Sequence, residues 1–287
     1  MTPRLSITRR ATDAVTRRVV GALTPTIRAA ISQRLDPSFG LRNAATYAAV
    51  TAYASRYTDE GDLTRYELRV FSQNGEDGVI AELARRVDAP RTFVEIGAGD
   101  GLEANCIALS QLLGWSGTFV EADPDAVAEL RANAASLGEH VRITAAIVTP
   151  DNINAIIRDT GLDGDLGLLS IDVDGNDYWL WKAVEYRPAI LVVEYNASHP
   201  VDEPFVSPLR PPLSWDETNN FGSSLRSFEE LAAEKGYRLV YTDVTGVNAF
   251  FVRDDLVARA AVTRVPRRRA NYFFSRRGHP DSPSASR

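Results

Sequence analysis

Apolar positions along this chain gather into short unbroken runs, and between the runs they recur at helical spacing. That is the pattern of a parallel sheet buried on both faces by helices. The runs predict strands over residues 93–96, 117–121, 141–148, 166–173, 189–195, 237–242 and 248–252. Helical spacing predicts a helix through Val79, Ile80, Leu83 and Val87, with Ser72 or Asn74 as its cap and Glu76 and Asp77 suiting the positive end of its dipole. Further helices are expected over residues 105–113, from Asp123-Pro124 to Ala134, over 151–157, through Trp179, Leu180 and Trp181, and over 224–235. Asp163-Gly-Asp165 reads as a turn, and Asp243-Val-Thr-Gly246 as the turn of a closing hairpin. Strands alternating with helices and closed by a hairpin make an α/β fold: a Rossmann-like, seven-stranded, mostly parallel sheet with an antiparallel last strand.

Outside this alternation lie three segments of different character. Residues 1–67 form an N-terminal helical extension, with one broken amphipathic helix over 8–34 and an alanine-rich one over 43–56. Residues 196–222 hold five prolines and little periodicity, which suggests a lid or substrate loop inserted into the domain of residues 68–255. Residues 256–287 read as a basic, mobile tail.

Composition changes the picture in two ways. The single cysteine, Cys106, excludes an internal disulfide and a multi-cysteine zinc site, and fits a cytoplasmic setting. The net charge of -6 hides basic ends: residues 1–42 carry +6 and residues 256–287 carry +7, which leaves -19 on the stretch between them. Such ends suit solvated arms, peripheral contact with an anionic membrane or nucleic acid, or the acidic core itself, and the helix over 8–34 also suits packing on the domain or on a second copy of the chain. No run reaches the roughly 18 apolar residues that span a bilayer, and arginines interrupt any secretory signal at the N-terminus. Nucleic acid is not expected as a partner, because no aromatic platform is interleaved with the basic residues.

The chemistry concentrates where strands end. In Thr92-Phe-Val-Glu-Ile-Gly-Ala-Gly-Asp-Gly101 a strand hands over to a glycine turn, so a ligand can lie directly against backbone. Twenty residues beyond Gly101 the next strand ends in Glu121, the place where nucleotide-binding α/β folds hold ribose hydroxyls. Glu95 and Asp100 would repel a pyrophosphate, which disfavours a nicotinamide-dependent oxidoreductase, but suit a cationic sulfonium and its ammonium group. Ser170-Ile-Asp-Val-Asp-Gly-Asn-Asp177 brings Asp172 and Asp174 to the end of the fourth strand, and Glu194-Tyr-Asn196 ends the fifth. Acids so close together call for a cation: a sulfonium, a substrate amine, or a divalent metal such as Mg²⁺ or Mn²⁺ held by Asp172, Asp174, Glu194 and Asn196. His199 follows at once, a candidate general base titrating near neutral pH.

Four blocks in order, Phe71-Ser-Gln-Asn-Gly-Glu-Asp-Gly78, the glycine turn, Leu169-Ser-Ile-Asp-Val-Asp-Gly-Asn-Asp-Tyr-Trp179 and Val192-Val-Glu-Tyr-Asn196, resemble those of FkbM-type methyltransferases over residues 68–254. The resemblance implies the class I methyltransferase fold, S-adenosylmethionine as cofactor, and a hydroxyl of a glycan, glycolipid or secondary metabolite as acceptor. It places Glu95, Gly97, Ala98, Gly99, Asp100, Gly101 and Asn105 along the methionine and ribose of the cofactor. Glu121 falls on the ribose hydroxyls, Ala146 near adenine, and Asp172 near the methionine amine, with Gln73 and Glu76 close by. Asp172, Asp174 and His199 are the expected catalytic residues. Asp-Val-Asp-Gly-Asn-Asp departs from the Asp-Val-Glu-Gly-Ala-Glu usual in that family, which favours a metal. A protein that keeps the fold without turnover is the alternative in another class.

Overall fold

The central apolar runs become strands because their alternate side chains reach two separate cores, while the edge strand near residues 141–145 packs mainly one face. The computed structural model describes residues 59–162, 164, 166–212 and 222–267. The expected helices over 8–34 and 43–56, residues 213–221 of the inserted loop, and the tail beyond 267 lie outside them. Along the described chain run α1 (Glu76–Val87), β1 (Thr92–Ile96), α2 (Ile107–Leu113), β2 (Ser116–Glu121), α3 (Pro124–Asn133), β3 (Val141–Ala145) and α4 (Ile153–Thr160). They are followed by β4 (Leu168–Ile171), α5 (Asp177–Ala183), β5 (Ile190–Glu194), α6 (Leu225–Lys235), β6 (Tyr237–Thr242), β7 (Asn248–Arg253) and α7 (Val257–Ala260).

The strands form one seven-stranded sheet in the order β3-β2-β1-β4-β5-β7-β6. Six strands, β1 to β6, run in one direction, and β7 alone is antiparallel, lying between β5 and β6. This is a doubly wound, Rossmann-like sheet, as the alternation of strands and helices predicted. Strand order reverses beside β1, so the carboxyl ends of β1 and β4 border the ligand crevice. Phe93, Leu168, Val192 and Phe250 pack on one face under α1 and α2; Val94, Ile171, Leu191 and Phe251 pack on the other, against α4, α5 and α6.

Several boundaries differ from those read in the sequence, each for a local reason. Helix α2 begins at Ile107 instead of 105, because the N–H groups of Asn105 and Cys106 are taken by the Glu95 carboxylate. Strand β4 stops at Ile171 instead of 173, since Asp177 accepts the N–H groups of Val173 and Gly175 and folds the chain into a turn. Neither Ser72 nor Asn74 is the cap residue of α1. That place falls to Gly75 at φ 92°, while Ser72 Oγ accepts the N–H of Asp77 one turn in.

The domain also extends past the limits that composition suggested. Leu63 is fully buried, and Glu67 accepts from the Tyr241 hydroxyl at 2.5 Å and the Val244 N–H at 2.6 Å, so residues 59–67 belong to the sheet domain. Residues 256–267 pack on the domain. Ala260 is fully buried, Arg264 pairs with Asp62, and Arg267 pairs with Asp202 and Glu229. The basic segment here folds back on acids of the core. Among the described residues no helix is long and apolar enough to cross a membrane.

One glycine locks the crevice. A Cβ on Gly97, which sits at φ 84°, would lie 1.6 Å from the Asp172 carbonyl oxygen, whereas a Cβ on Gly99, at φ 56°, would meet nothing within 4 Å. Both substitutions strain a left-handed backbone by about 1 kcal/mol, but only Gly97→Ala must also push β4 away from β1. Urea denaturation should show Gly99→Ala losing about 1 kcal/mol and Gly97→Ala losing several times more.

Candidate functional site

The crevice is walled by carboxylates, and the first question about each is what satisfies it. Glu95, 3% exposed, has both oxygens on backbone: Oε1 accepts from Asn105 at 2.7 Å and Oε2 from Cys106 at 2.8 Å. Glu95 therefore sits beneath the glycine turn as the anchor of α2, and its own side chain does not line the open surface. Burial pushes its pKa up to about 7. Asp177 is fully buried and holds the turn after β4; burial raises it, too, to about 7. Asp77 gathers the N–H groups of Val70, Phe71 and Ser72 at 2.7 to 2.9 Å. Asp243 gathers Gly246, Val247 and Asn248 with the Thr245 hydroxyl, and burial raises its pKa.

Glu121 closes the glycine turn from the side. Its Oε2 accepts the Gly99 N–H at 2.8 Å, and its Oε1 accepts those of Ala122 and Asp123. Gly97 and Ala98 donate to the Val120 carbonyl, so the turn is stitched to the end of β2. Asp100 at the tip makes a local bond to the Leu102 N–H. Asn105 reaches across to Ser170 Oγ at 3.1 Å, which ties the turn to β4. Ala146 donates to the Glu121 carbonyl, and Ile147 beyond it leaves its apolar side chain 49% exposed, a feature no pattern in the sequence marked.

Asp172 and Glu194 stand apart from these. Neither receives a hydrogen bond from the described residues, and Glu194 Oε2 is buried without a partner. Carboxylate oxygens of Asp172, Asp174 and Glu194 lie within 4.8 Å of one another. Asp172 and Glu194 are pushed well above the ordinary carboxylate range, first by burial and then by each other's neighbourhood: Asp177, Asp174 and Glu95 act on Asp172, and Asp172, Asp177 and Asp174 on Glu194. Asp174 adopts φ 53°, which turns it back toward the crevice end of β4. The fourth expected metal ligand is placed differently. Asn196 is fully buried and its Oδ1 accepts the Ser198 N–H, so the side chain shapes the loop after β5.

Glu76 is 1% exposed, bonded to Asn248 Nδ2 at 2.7 Å and to the Asn74 N–H at 2.8 Å, while Gln73 lies exposed on the preceding turn. Burial and the neighbouring Asp243 carboxylate raise Glu76 to about 7. His199 stacks on Phe205 with ring centroids 4.1 Å apart. Its Nε2 is buried without a partner, and burial lowers its pKa.

The described part of the inserted loop is clasped to the site. Asn176 takes the Arg210 N–H and donates to the Arg210 carbonyl, both at 3.0 Å; Trp179 Nε1 donates to the Ser207 carbonyl, and Ser207 Oγ to the Gly175 carbonyl. Residues 205–210 therefore form a strap over the end of β4 that presents Val206 and Leu209 outward.

Comparison with known proteins adds little at the level of sequence, since no family model and no curated protein matches the chain. Several solved structures are similar to the chain at low identity. They include the mitomycin 7-O-methyltransferase MmcR (17% identity over 61% of this chain, TM-score 0.38), of which the chain spans just over half the length, 55%. The O-methyltransferase of Bacillus cereus in complex with S-adenosylhomocysteine is 18% identical over 72% of this chain and 97% of its own, at a TM-score of 0.40. The CcbJ methyltransferase of Streptomyces caelestis is 14% identical over 72% and 98%, at a TM-score of 0.39.

The buried acids make stability depend on pH in a definite direction. Glu95 holds its proton up to about 7 in the folded protein and releases it near 4.3 when unfolded. Its contribution is complete below the unfolded value and is lost as pH rises through 7. The denaturation midpoint of the ligand-free protein should therefore fall between pH 5 and pH 8, and Glu95→Gln should flatten that slope.

Proposed function

We propose that this protein is an S-adenosylmethionine-dependent methyltransferase acting on a hydroxyl of a glycan, glycolipid or other metabolite. One observation carries the reading: an open glycine, Gly99, bonded to the acid that ends β2, at the point where the strand order reverses. The residues present fit the cofactor. Open backbone at Gly99 admits the ligand, Glu121 stands where ribose hydroxyls are held, and Ala146 and Ile147 offer an apolar edge for adenine. Acids around the turn favour a sulfonium over a pyrophosphate. When bound, the cofactor supplies an electrophilic methyl group on a cationic sulfur.

The chain's own residues would position the acceptor and remove its proton. His199 is suited to the second task, because a low pKa keeps the ring neutral at pH 7 and Phe205 fixes its plane. An acceptor hydroxyl against the ring would pass its proton to Nε2, the buried acceptor that lacks a donor. Asp172, Asp174 and Glu194 would hold a divalent cation, since hard carboxylate oxygens within 4.8 Å of one another suit Mg²⁺ or Mn²⁺. Such an ion would neutralise the acids and orient the acceptor oxygen. The strap over residues 205–210 lies where acceptor selection belongs, and the four motif blocks favour the FkbM type.

Isothermal titration with S-adenosylhomocysteine tests the cofactor. Micromolar binding is expected, weakened at least tenfold, about 1.4 kcal/mol, by Glu121→Ala. Absence of binding at millimolar ligand, by a protein that remains folded, would refute the assignment.

A further inference from the structure

The two buried acceptors left without a donor near the ends of β5 and β7 sit side by side. Glu194 is paired with Asn248 across the antiparallel β5 and β7 ladder, so both side chains leave the same face of the sheet, with Cβ atoms about 5 Å apart. Glu194 Oε2 and Asn248 Oδ1 are both buried and both without a hydrogen-bond partner. Asn248 is only 3% exposed. Each such acceptor costs about 1 to 3 kcal/mol while it stays unsatisfied, and adjacency makes it harder for either to be satisfied by the other.

The orientation of the Asn248 amide is fixed from behind. Its Nδ2 donates to Glu76 Oε1 at 2.7 Å, and Glu76 is held in turn by the Asn74 N–H on its other oxygen. The reverse orientation would set two acceptors, Asn248 Oδ1 and Glu76 Oε1, against each other. Oδ1 is therefore directed away from Glu76. On its neighbouring strand stands Glu194, whose carboxylate shares a cluster with Asp172 and Asp174. Asn196, which the chain order alone would nominate, is occupied by the Ser198 N–H.

We infer that Asn248 supplies the neutral oxygen ligand of a divalent cation held by Asp172, Asp174 and Glu194, with Glu76 as the positioning residue that turns its carbonyl oxygen toward the ion. This rests on the reading that the three acids bind a divalent cation. An amide carbonyl is a hard oxygen donor of the kind such ions take alongside carboxylates. It adds a ligand without adding a further negative charge to a cluster already crowded with them. Glu76 acts on the amide as a carboxylate acts on a ligating histidine, fixing which atom faces the ion.

Titration of the full-length protein with Mn²⁺, followed by electron paramagnetic resonance, tests the assignment without any acceptor. Asn248→Ala should weaken Mn²⁺ binding at least tenfold and Glu76→Gln by an intermediate factor, losses in the range known for ligand-orienting groups, while the double variant Asn248→Asp with Glu76→Gln, in which the glutamine amide can donate to the new carboxylate, should restore it. Thermal unfolding of each variant establishes that the sheet is intact. If Asp172→Asn abolishes Mn²⁺ binding while Asn248→Ala retains wild-type affinity, the three acids bind the ion and Asn248 is no ligand. If the wild-type protein itself takes up no Mn²⁺ at millimolar concentration, the cation reading fails and the assignment of Asn248 falls with it. Loss in Asn248→Ala without recovery in the Asn248→Asp, Glu76→Gln double variant would also overturn the ligand role.

Discussion

Carboxylates at the crevice edge of this sheet are satisfied almost entirely by backbone N–H groups, and the loops that make the site take their shape from that. Glu95 starts α2, Asp177 turns the chain after β4, Asp77 gathers the segment before α1, Glu121 closes the glycine turn, and Asp243 forms the hairpin. A buried carboxylate without such donors is costly. Each of these therefore fixes two or more residues of backbone around itself, and together they hold a ring of loops at the carboxyl ends of the strands.

The same criterion divides the acids by role. Glu95, Asp77, Asp177 and Asp243 shape loops through their backbone donors, and Glu121 both closes the glycine turn and stands at the proposed ribose position, whereas the carboxylates of Asp172 and Glu194 have no hydrogen bond among the described residues and share one cluster. A scaffold that already satisfies most of its acids leaves the remaining negative charge in one place. The proposed chemistry belongs there: a cationic cofactor beside the glycine turn, a cation at the strand ends, and a neutral imidazole on the loop that follows β5. The strap of residues 205–210 is clasped to the turn after β4 by Asn176 and Ser207.

What could be read in the sequence was whatever is local. The glycine turn, the acid ending β2 and the acids ending β4 and β5 are marked by residues next to one another, and the alternation of apolar runs implied the sheet. Roles decided by distant partners were not legible. Nothing around Asn248 distinguishes it until β7 lies against β5 and Glu76 comes up behind it. Glu95 reads as a ligand residue from its place in the turn, yet its oxygens are held by α2. Arg264 and Arg267 read as part of a mobile tail because their acidic partners, Asp62, Asp202 and Glu229, lie 38 to 202 residues away.

The division of the acids is tested most directly by thermal unfolding of the ligand-free protein at pH 8, comparing Glu194→Gln with Asp177→Asn. Removing the charge of Glu194 relieves repulsion from Asp172 and Asp174 and breaks no hydrogen bond. Asp177→Asn sets an amide against the N–H of Val173 or Gly175. The account predicts that Glu194→Gln unfolds at the wild-type temperature or above it and that Asp177→Asn unfolds several degrees lower, for a loss of about 1 to 3 kcal/mol. A destabilised Glu194→Gln beside an unaffected Asp177→Asn would contradict it.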